Sequence, residues 1–113
     1  MSNDQLPTQL WVDAHLKRFS LEGKPYYIVN KGNYASGVVM VKIYSPHLKL
    51  SKVLQQQRNL DGQMGWMASF KGESVAESEA DEYIQRAILR DPDLWVIEVE
   101  DNELENPFEG KEI

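Results

Sequence analysis

The chain has 113 residues, no cysteine and a net charge of −6 at pH 7. This length suits one compact domain with its own hydrophobic core, and the lack of cysteine excludes a disulfide framework, a cysteine-ligated zinc site and a cysteine nucleophile. No apolar run approaches the roughly 20 residues that cross a bilayer, and residues 1–5 lack the basic and apolar regions of a secretion signal. We therefore expect a cytoplasmic protein with no membrane segment.

The first predicted element is a helix over about residues 8–22. Its apolar residues recur near a period of 3.6, Thr8 is a suitable N-cap, and Gly23 can end the helix with a positive φ. The apolar stripe is wide, which favours packing against a sheet.

Two strands are predicted next, over residues 26–30 and 38–44. Residues 31–37 connect them, with Gly32 and Gly37 at positions that suit a turn. The second strand is apolar on both alternating faces, which is typical of a central strand.

A long hairpin follows, with arms over residues 48–57 and 63–70. Asp61-Gly62 is a strong hairpin signal, and alternation on the second arm directs Trp66 to the core. The first arm breaks the alternation, which predicts a β-bulge near Ser51 and Lys52. A short helix over residues 49–58 is the alternative for this arm.

The second helix is predicted from a near capping box, Ser78 with Asp81, up to the stop at Asp91-Pro92. One apolar stripe at i, i+3, i+4, i+7 and i+8 is formed by Ala80, Tyr83, Ile84, Ala87 and Ile88. A last strand covers residues 94–100.

These elements predict an α+β fold with the order α-β-β-β-β-α-β. We expect a mainly antiparallel sheet of about five strands with both helices on one face and a common core. That core is predicted to hold Trp11, Ile84, Ile88, Trp95 and Ile97. Residues 8–100 form the single domain in this interpretation. Residues 101–113 are acidic and turn-rich, and are expected to be a mobile tail that folding does not require.

Charge is distributed unevenly along the chain. Residues 1–72 contain nine lysines and arginines against four acids (+5), whereas residues 73–113 contain three against fourteen (−11). One interpretation is an anion-binding or partner-binding surface on the basic part, and another is that the two parts attract each other. The candidate residues for such a surface are Lys42, Lys49, Lys52 and Arg58.

No motif in the sequence specifies an enzyme, a metal site or a cofactor. His15 and His47 lack the spacing of a zinc site, and Gly32 and Gly37 fit neither phosphate-binding glycine motif. We therefore predict a non-enzymatic binding or regulatory module that contacts a protein or an anionic partner, with no cofactor.

Two alternatives remain open. The first is a small enzyme with a site near Asp13, the loop at Gly32 and Gly37, and Trp66. The second is a weak single-stranded nucleic-acid binder, in which Tyr and Trp side chains on the sheet stack on bases beside the lysines.

Several segments resemble a known family. They are residues 10–14, 31–33, 36–42 and 91–101, together with the strand around Trp66, and the most specific is Asp-Pro-Asp-Leu-Trp at residues 91–95. The resemblance, over about residues 9–101, is to the small bacterial domain-of-unknown-function family 1491 (DUF1491). It implies a bacterial cytoplasmic protein of one domain, and it implies no activity and no catalytic residues. Where the family has Gly-Asp, this chain has Gly32-Asn33.

Overall fold

A computed structural model of the chain describes residues 6–113, so residues 1–5, from which no secretion signal was inferred, lie outside the described residues. The two helices are α1 (Thr8–Leu21) and α2 (Glu77–Arg90). The strands are β1 (Tyr26–Asn30), β2 (Val39–Ser45), β3 (Leu50–Arg58), β4 (Met64–Ala68), β5 (Val75–Ala76), β6 (Trp95–Glu100) and β7 (Lys111–Glu112). A short 3-10 turn, Phe70–Gly72, follows β4.

The seven strands form one sheet in the order β1-β6-β2-β3-β4-β7, with β5 paired to β3. The α+β class is confirmed, but the sheet is mixed. Strand β6 is antiparallel to β1 and parallel to β2, and β7 is parallel to β4. The helix α2 lies between β5 and β6 in the chain and provides the long connection that a parallel neighbour requires.

The two helices cover opposite faces of the sheet, so the prediction of both helices on one face is wrong. The α1-face cluster consists of Val12, Leu16, Phe19, Val39, Val41, Ile43, Leu54, Trp66, Trp95, Ile97, Val99 and Phe108. The α2-face cluster consists of Met40, Val53, Ala80, Ile84, Ala87, Leu94 and Val96. Central strands that are apolar on both sides need a cover on each face, and one helix supplies each cover. Ile84 therefore lies in a different core from Trp95 and Ile97.

The first hairpin arm forms the strand β3 and not the alternative helix over residues 49–58. Its pairing with β2 runs without interruption from Met40 opposite Gln55 to Ser45 opposite Leu50, so the predicted bulge is absent there. The alternation fails in the sequence because both faces of β3 are covered. The hairpin is confirmed by the hydrogen bond from Asn59 N to Gln63 O (2.8 Å) and by the positive φ of Gly62 (+81°).

Neither predicted N-cap is observed. Thr8 is the first residue of α1, and its hydroxyl donates to Gly37 O (3.3 Å) instead of capping the helix. Helix α2 begins at Glu77, so Ser78 lies within the first turn. The predicted stop at Gly23 is confirmed, because Gly23 follows the end of α1 with φ +73°.

Residues 101–113 pack across the α1 face, contrary to the expected mobile tail. They leave β6 on one side of the sheet and reach β4 on the other, where Lys111 and Glu112 pair with Gly65 and Trp66. Phe108 is buried in the α1-face cluster on the way. Leu104, partly buried, packs against the same cluster. These apolar residues are too widely spaced to form a helix or strand period, so the sequence does not indicate that the segment docks.

Candidate functional site

The first of the predicted surface residues, Lys42, is buried. Its side chain is 2% exposed on the α2 face of the sheet. Its ammonium nitrogen donates to Asp81 Oδ1 (2.7 Å), Glu77 Oε2 (2.9 Å) and Glu98 Oε1 (3.2 Å). Its assignment to a surface that binds an external anion is therefore wrong, because three carboxylates already surround the charge.

The pKa of Lys42 reflects two opposing effects. Burial of the ammonium group lowers the pKa, whereas the hydrogen bonds to Asp81 and Glu77 and the charge of Glu98 raise it. The second effect is larger, so the pKa of Lys42 lies above its ordinary value. Lys42 thus stays charged at neutral pH and serves as a structural contact between β2, β6 and α2.

The other three candidate residues lie apart from Lys42. Lys49 is exposed in the turn before β3 with φ +58°, and Lys52 pairs with Glu112 (Nζ to Oε1, 2.7 Å). Arg58, the last residue of β3, donates from Nη1 to Gly62 O (2.7 Å). By strand alternation, Lys52 and Arg58 share the α1 face of β3 with Leu54, whereas Lys42 faces α2. The structure therefore does not join the four residues into one surface.

The two parts of opposite charge contact each other. Besides Lys42 and Lys52, Lys24 binds Asp101 (Nζ to Oδ1, 3.2 Å), and each of these pairs joins a base before residue 73 to an acid after it. Burial raises the pKa of Asp101. The hydrogen bond from the N–H of Glu105 and the ammonium of Lys24 lower it by more, so the net shift is downward. These contacts favour the interpretation that the basic and acidic parts attract each other.

The residues of the predicted enzyme site are not brought together. Asp13 is exposed on α1, whereas Trp66 is fully buried and donates its indole N–H to Glu109 O (2.9 Å). The loop at Gly32 and Gly37 lies over Trp95 instead. The indole N–H of Trp95 donates to Asn33 O (2.8 Å), which ties this loop to β6.

The nucleic-acid alternative requires aromatic side chains that face solvent on the sheet. Trp66 and Trp95 are buried, because helices cover both faces. Tyr26 and Tyr27 are exposed at the edge strand β1, where the neighbouring strand carries Glu98 and Glu100. Carboxylates at that position repel a polyanion, so the geometry does not favour this alternative.

A cleft of about 450 Å³ lies between the start of α1 and the turn end of the β3–β4 hairpin, where β3 ends and β4 begins. Its apolar lining comes from Leu6, Trp11 and Met64. Its polar lining comes from Gln56, Arg58 and Glu109, with Thr8, Gly37 and Gly110 completing the walls. The cleft thus combines a smaller apolar part with several polar groups, so one ligand could contact both.

Strand register positions one wall of the cleft. Gln56, Arg58 and Met64 lie on the α1 face of the hairpin, and Arg58 is directly opposite Met64 in the pairing of β3 with β4. The hydrogen bond from Arg58 to the turn at Gly62 holds the guanidinium at the end of the strand.

Aromatic stacking positions the opposite wall. The rings of Trp11 and Phe108 stack with centroids 5.5 Å apart and an interplanar angle of 13°. Nδ1 of His15 donates to Trp11 O (3.0 Å), and Nε2 of His15 lies 3.5 Å from Glu109 Oε1. These contacts hold the segment that carries Glu109 and Gly110 against α1.

Gly110 fits this wall only because it lacks a side chain. Its φ is +113°, and a Cβ atom there would lie 3.0 Å from the indole nitrogen of Trp66. The backbone can therefore approach Trp66 closely enough for Glu109 O to accept its hydrogen bond.

Of the residues that line the cleft, the predicted anion surface included only Arg58. Trp11, Met64 and Glu109 come from three distant parts of the chain, and only the tertiary fold brings them together. The one local signal was Arg58 at the end of the first hairpin arm, next to a tight turn.

Between residues 6 and 113, no group of three or more His, Asp and Glu side chains is arranged to hold a metal ion. Over the same range, neither helix has the length and apolar character needed to span a membrane.

Comparisons with known proteins agree on one family. The family described as "Protein of unknown function (DUF1491)" matches residues 6–109, which extends the match to Phe108 and Glu109 in the cleft wall. A crystal structure of a DUF1491 family protein from Caulobacter crescentus CB15 is 30% identical, with 96% of this chain and 99% of that chain covered and a TM-score of 0.85.

Two further solved structures are similar. An NMR structure of a DUF1491 family protein from Caulobacter crescentus CB15 is 29% identical, covers 96% of this chain and 97% of that chain, and has a TM-score of 0.82. The solution structure of protein Atu0922 from A. tumefaciens shares the fold, with 20% identity, 86% of each chain covered and a TM-score of 0.68. No curated protein matches the chain.

Proposed function

The chain belongs to the DUF1491 family, and we propose that it is a non-enzymatic binding module whose ligand site is the cleft between α1 and the β3–β4 hairpin. The ligand in this proposal is a short acidic segment of a partner protein. Arg58 binds the carboxylate of that segment, and Trp11 and Met64 contact the apolar side chain next to it. The observation that carries the proposal is a guanidinium at the rim of a cleft of about 450 Å³ that also has an apolar lining.

The guanidinium supports recognition of a carboxylate. Arginine presents N–H donors in a planar fork that matches the two oxygens of a carboxylate. In Arg58 one hydrogen bond, from Nη1 to Gly62 O, fixes the group, while the side chain remains exposed. The amide of Gln56, two residues earlier on the same face, can donate to the same ligand.

The apolar lining supports a peptide rather than a free anion. Met64 is 43% exposed at the start of β4, and a methionine side chain adapts to differently shaped apolar groups. Trp11 is held rigid by its stacking on Phe108, which reduces the entropy lost when a ligand binds. An acidic residue flanked by an aliphatic one satisfies both parts of the cleft.

The groups in the cleft suit binding better than catalysis. The hydroxyl of Thr8 is already engaged with Gly37 O, and the carboxylate of Glu109 faces His15. Arg58 and Gln56 supply hydrogen bonds to a ligand but neither a nucleophile nor a general base.

Binding can be tested with a library of N-acetylated, C-amidated hexapeptides that place Glu or Asp next to Leu, Ile or Phe. The readout is the shift of the Trp11 indole and Arg58 side-chain resonances during NMR titration. We expect some members to bind with micromolar to millimolar affinity, and binding to weaken when the acidic residue is replaced by its amide or when salt is raised.

Matched variants distinguish peptide binding in the cleft from general attraction between opposite charges. Arg58→Gln should weaken the best peptide at least about tenfold, which corresponds to about 1.4 kcal/mol. Arg86→Gln makes the same change on exposed α2, on the opposite face of the sheet, and should have no effect. If no peptide shifts the cleft resonances, or if both variants weaken binding equally, the proposed function is wrong.

A cytoplasmic location belongs to the same proposal, because the acidic partner segment is expected there. Fractionation of cells that express the tagged chain tests it, and recovery in the membrane or secreted fraction would contradict it.

A further inference from the structure

The outer edge of β1 is open. Among residues 6–113, β1 pairs with β6 on one side and no strand pairs with its other side. Tyr26, Tyr27 and Ile28 are 38%, 67% and 39% exposed, and no charged side chain interrupts the strand Tyr26–Asn30. Monomeric proteins usually protect such an edge with charged side chains, proline or a β-bulge. These features lie at the two ends of β1 and none lies within residues 26–28, so this central part of the edge is suited to pairing with another strand.

The direction of the free backbone groups follows from the pairing with β6. Glu100 N donates to Pro25 O (3.3 Å), and Tyr27 lies opposite Glu98 two positions further along. In an antiparallel pair the inward-directed residues alternate with outward-directed ones. Pro25 and Tyr27 therefore direct their backbone groups to β6, and Tyr26 and Ile28 direct their N–H and C=O groups to the open edge.

The outward N–H and C=O groups of β1 can pair with the same groups on a second copy of the strand. We propose that two copies of the chain associate by antiparallel pairing of their β1 strands around a two-fold axis at Tyr27. Tyr26 of each copy then lies opposite Ile28 of the other, and the two pairs form four backbone hydrogen bonds. Pro25, which lacks an N–H, is directed to β6 and removes none of these bonds.

The side chains agree with the same register. On the α2 face, Tyr27 meets Tyr27 of the second copy at the axis, and on the α1 face each Tyr26 meets an Ile28. Aromatic pairs and aromatic–β-branched pairs are favourable when directly opposite each other. Tyr26 is already positioned by an edge-to-face contact with Phe19, with ring centroids 6.5 Å apart.

Lys24 and Lys31 flank the strand at its two ends. In the antiparallel register Lys24 of each copy lies near Lys31 of the other, so this contact between like charges opposes the association. The backbone hydrogen bonds and the apolar side chains are therefore what favours a second copy at this edge.

The interface is short, so the association should be weak. A register shift between Ile28 and Asn30 marks a β-bulge, which bends the end of β1 and limits regular pairing to about residues 25–29. Such a contact falls below the size of a standard stable interface. We expect a dimer that forms reversibly as the concentration rises.

Cysteine cross-linking tests the register directly, because the chain has no native cysteine. In the proposed dimer the two Tyr27 positions are directly opposite each other in a non-hydrogen-bonded pair, where Cβ atoms are about 4.5 Å apart and within reach of a disulfide. Under mild oxidation Tyr27→Cys should give a covalent dimer. Ile28→Cys, off the axis, and Leu89→Cys, at a more exposed position on α2, should give little.

A second measurement uses the unmodified chain. Sedimentation equilibrium should show an average mass that rises from 13.0 kDa towards twice that value with concentration. Amide exchange at Tyr26 and Ile28 should slow over the same range. Tyr27→Lys should remain monomeric, whereas Leu89→Lys should associate as the unmodified chain does.

Two results would overturn the proposal. One is a constant mass of 13.0 kDa up to millimolar concentration. The other is cross-linking of Leu89→Cys as fast as that of Tyr27→Cys. Neither result bears on the cleft, since β1 and the cleft lie at different ends of the strand order.

Discussion

Lys42 on β2 and Asp81 on α2 form the shortest contact of the charge cluster around the buried Lys42 ammonium, with 2.7 Å between Nζ and Oδ1. Glu77, one helical turn before Asp81, binds the same ammonium at 2.9 Å. Two acids at i and i+4 on one side of the helix thus converge on one strand residue. This fixes the rotation of α2 about its axis, and with it the set of apolar residues that face the sheet.

Removal of this charge should destabilise the protein. We expect Lys42→Met to lower the free energy of unfolding at pH 7 by about 1–3 kcal/mol, because charge-assisted hydrogen bonds are lost while the three partly exposed carboxylates can still be hydrated. Urea unfolding measures the change. Lys52→Met breaks a more exposed pair and should cost less than about 1 kcal/mol. A Lys42→Met protein as stable as the unmodified chain would contradict this assignment.

The contribution of Lys42 should disappear at alkaline pH. Its folded-state pKa is raised, so its stabilisation is complete below the unfolded-state value of about 10.4 and is lost as the pH rises through the folded-state pKa. The stability difference between the unmodified chain and Lys42→Met should therefore be constant up to about pH 10 and shrink above it. Unfolding curves at a series of alkaline pH values test this, and a difference that grows with pH would refute it.

Asp101 should contribute stability with the opposite pH dependence. Its carboxylate accepts hydrogen bonds from Glu105 N (2.9 Å), Glu103 N (3.1 Å) and Lys24 Nζ (3.2 Å), and its folded-state pKa is lowered. The stabilisation is present above the unfolded-state pKa of about 3.9 and is lost as the pH falls through the lower folded-state value. Asp101→Asn should thus lower the melting temperature at pH 7 and have a smaller effect in strong acid. Asp93→Asn, on an exposed side chain, should change little at either pH.

Phe108 should be needed for folding stability, although the sequence suggested a dispensable tail. Its ring lies 5.0 Å from that of Phe19 and 5.6 Å from that of Trp66 between centroids, so Phe108→Ala leaves a cavity in the α1-face cluster. The expected loss is about 3–5 kcal/mol by chemical denaturation. Glu105→Ala, exposed in the same segment, is the control. A loss below about 1 kcal/mol would show that the segment does not dock in solution.

Gly32 should tolerate no side chain. A Cβ atom there would overlap the carbonyl oxygen of Asp93 and lie 2.6 Å from Trp95 Cδ1, so the loop would have to move away from β6. Gly32→Ala should therefore destabilise the protein and shift the NMR signal of the Trp95 indole N–H, which donates to Asn33 O. Ser36→Ala, exposed in the same loop, should leave that signal in place. An unchanged indole signal in Gly32→Ala would show that the loop adapts without losing this contact.

Elements with local signals were predictable from the sequence. The helix stop at Gly23 and the hairpin turn at Asp61-Gly62 depend on backbone conformations within a few residues, and both are confirmed. The faces of the helices were not predictable in this way. Val39, Val41 and Ile43 face α1 while Met40 faces α2, and a strand that is apolar on both sides does not show which helix covers which side.

The cleft and the buried lysine depended on contacts between distant residues. Lys42 was assigned to a surface, although its place between Val41 and Ile43 in a central strand could have indicated burial. The acids at the start of the second helix could likewise have suggested its partners. Leu104, Phe108 and Ile113 are sparse in an acidic segment, so no period marked Phe108 as a core residue. The cleft needs α1, the hairpin and residues 109–110 together, and no spacing in the sequence encodes that geometry.

The position of β6 has a consequence for the order in which the protein folds during synthesis. Strands β1 and β2 follow each other in the chain but do not pair, because β6 lies between them. Of the strand pairings, only those among β2, β3, β4 and β5 can form while residues 95–100 are still inside the ribosome. Until then the apolar strand β1 has no partner in the sheet and β2 lacks one of its two neighbours. Pairings over such a separation are slow and leave strand edges exposed, so the nascent chain should be most prone to misassembly just before β6 emerges.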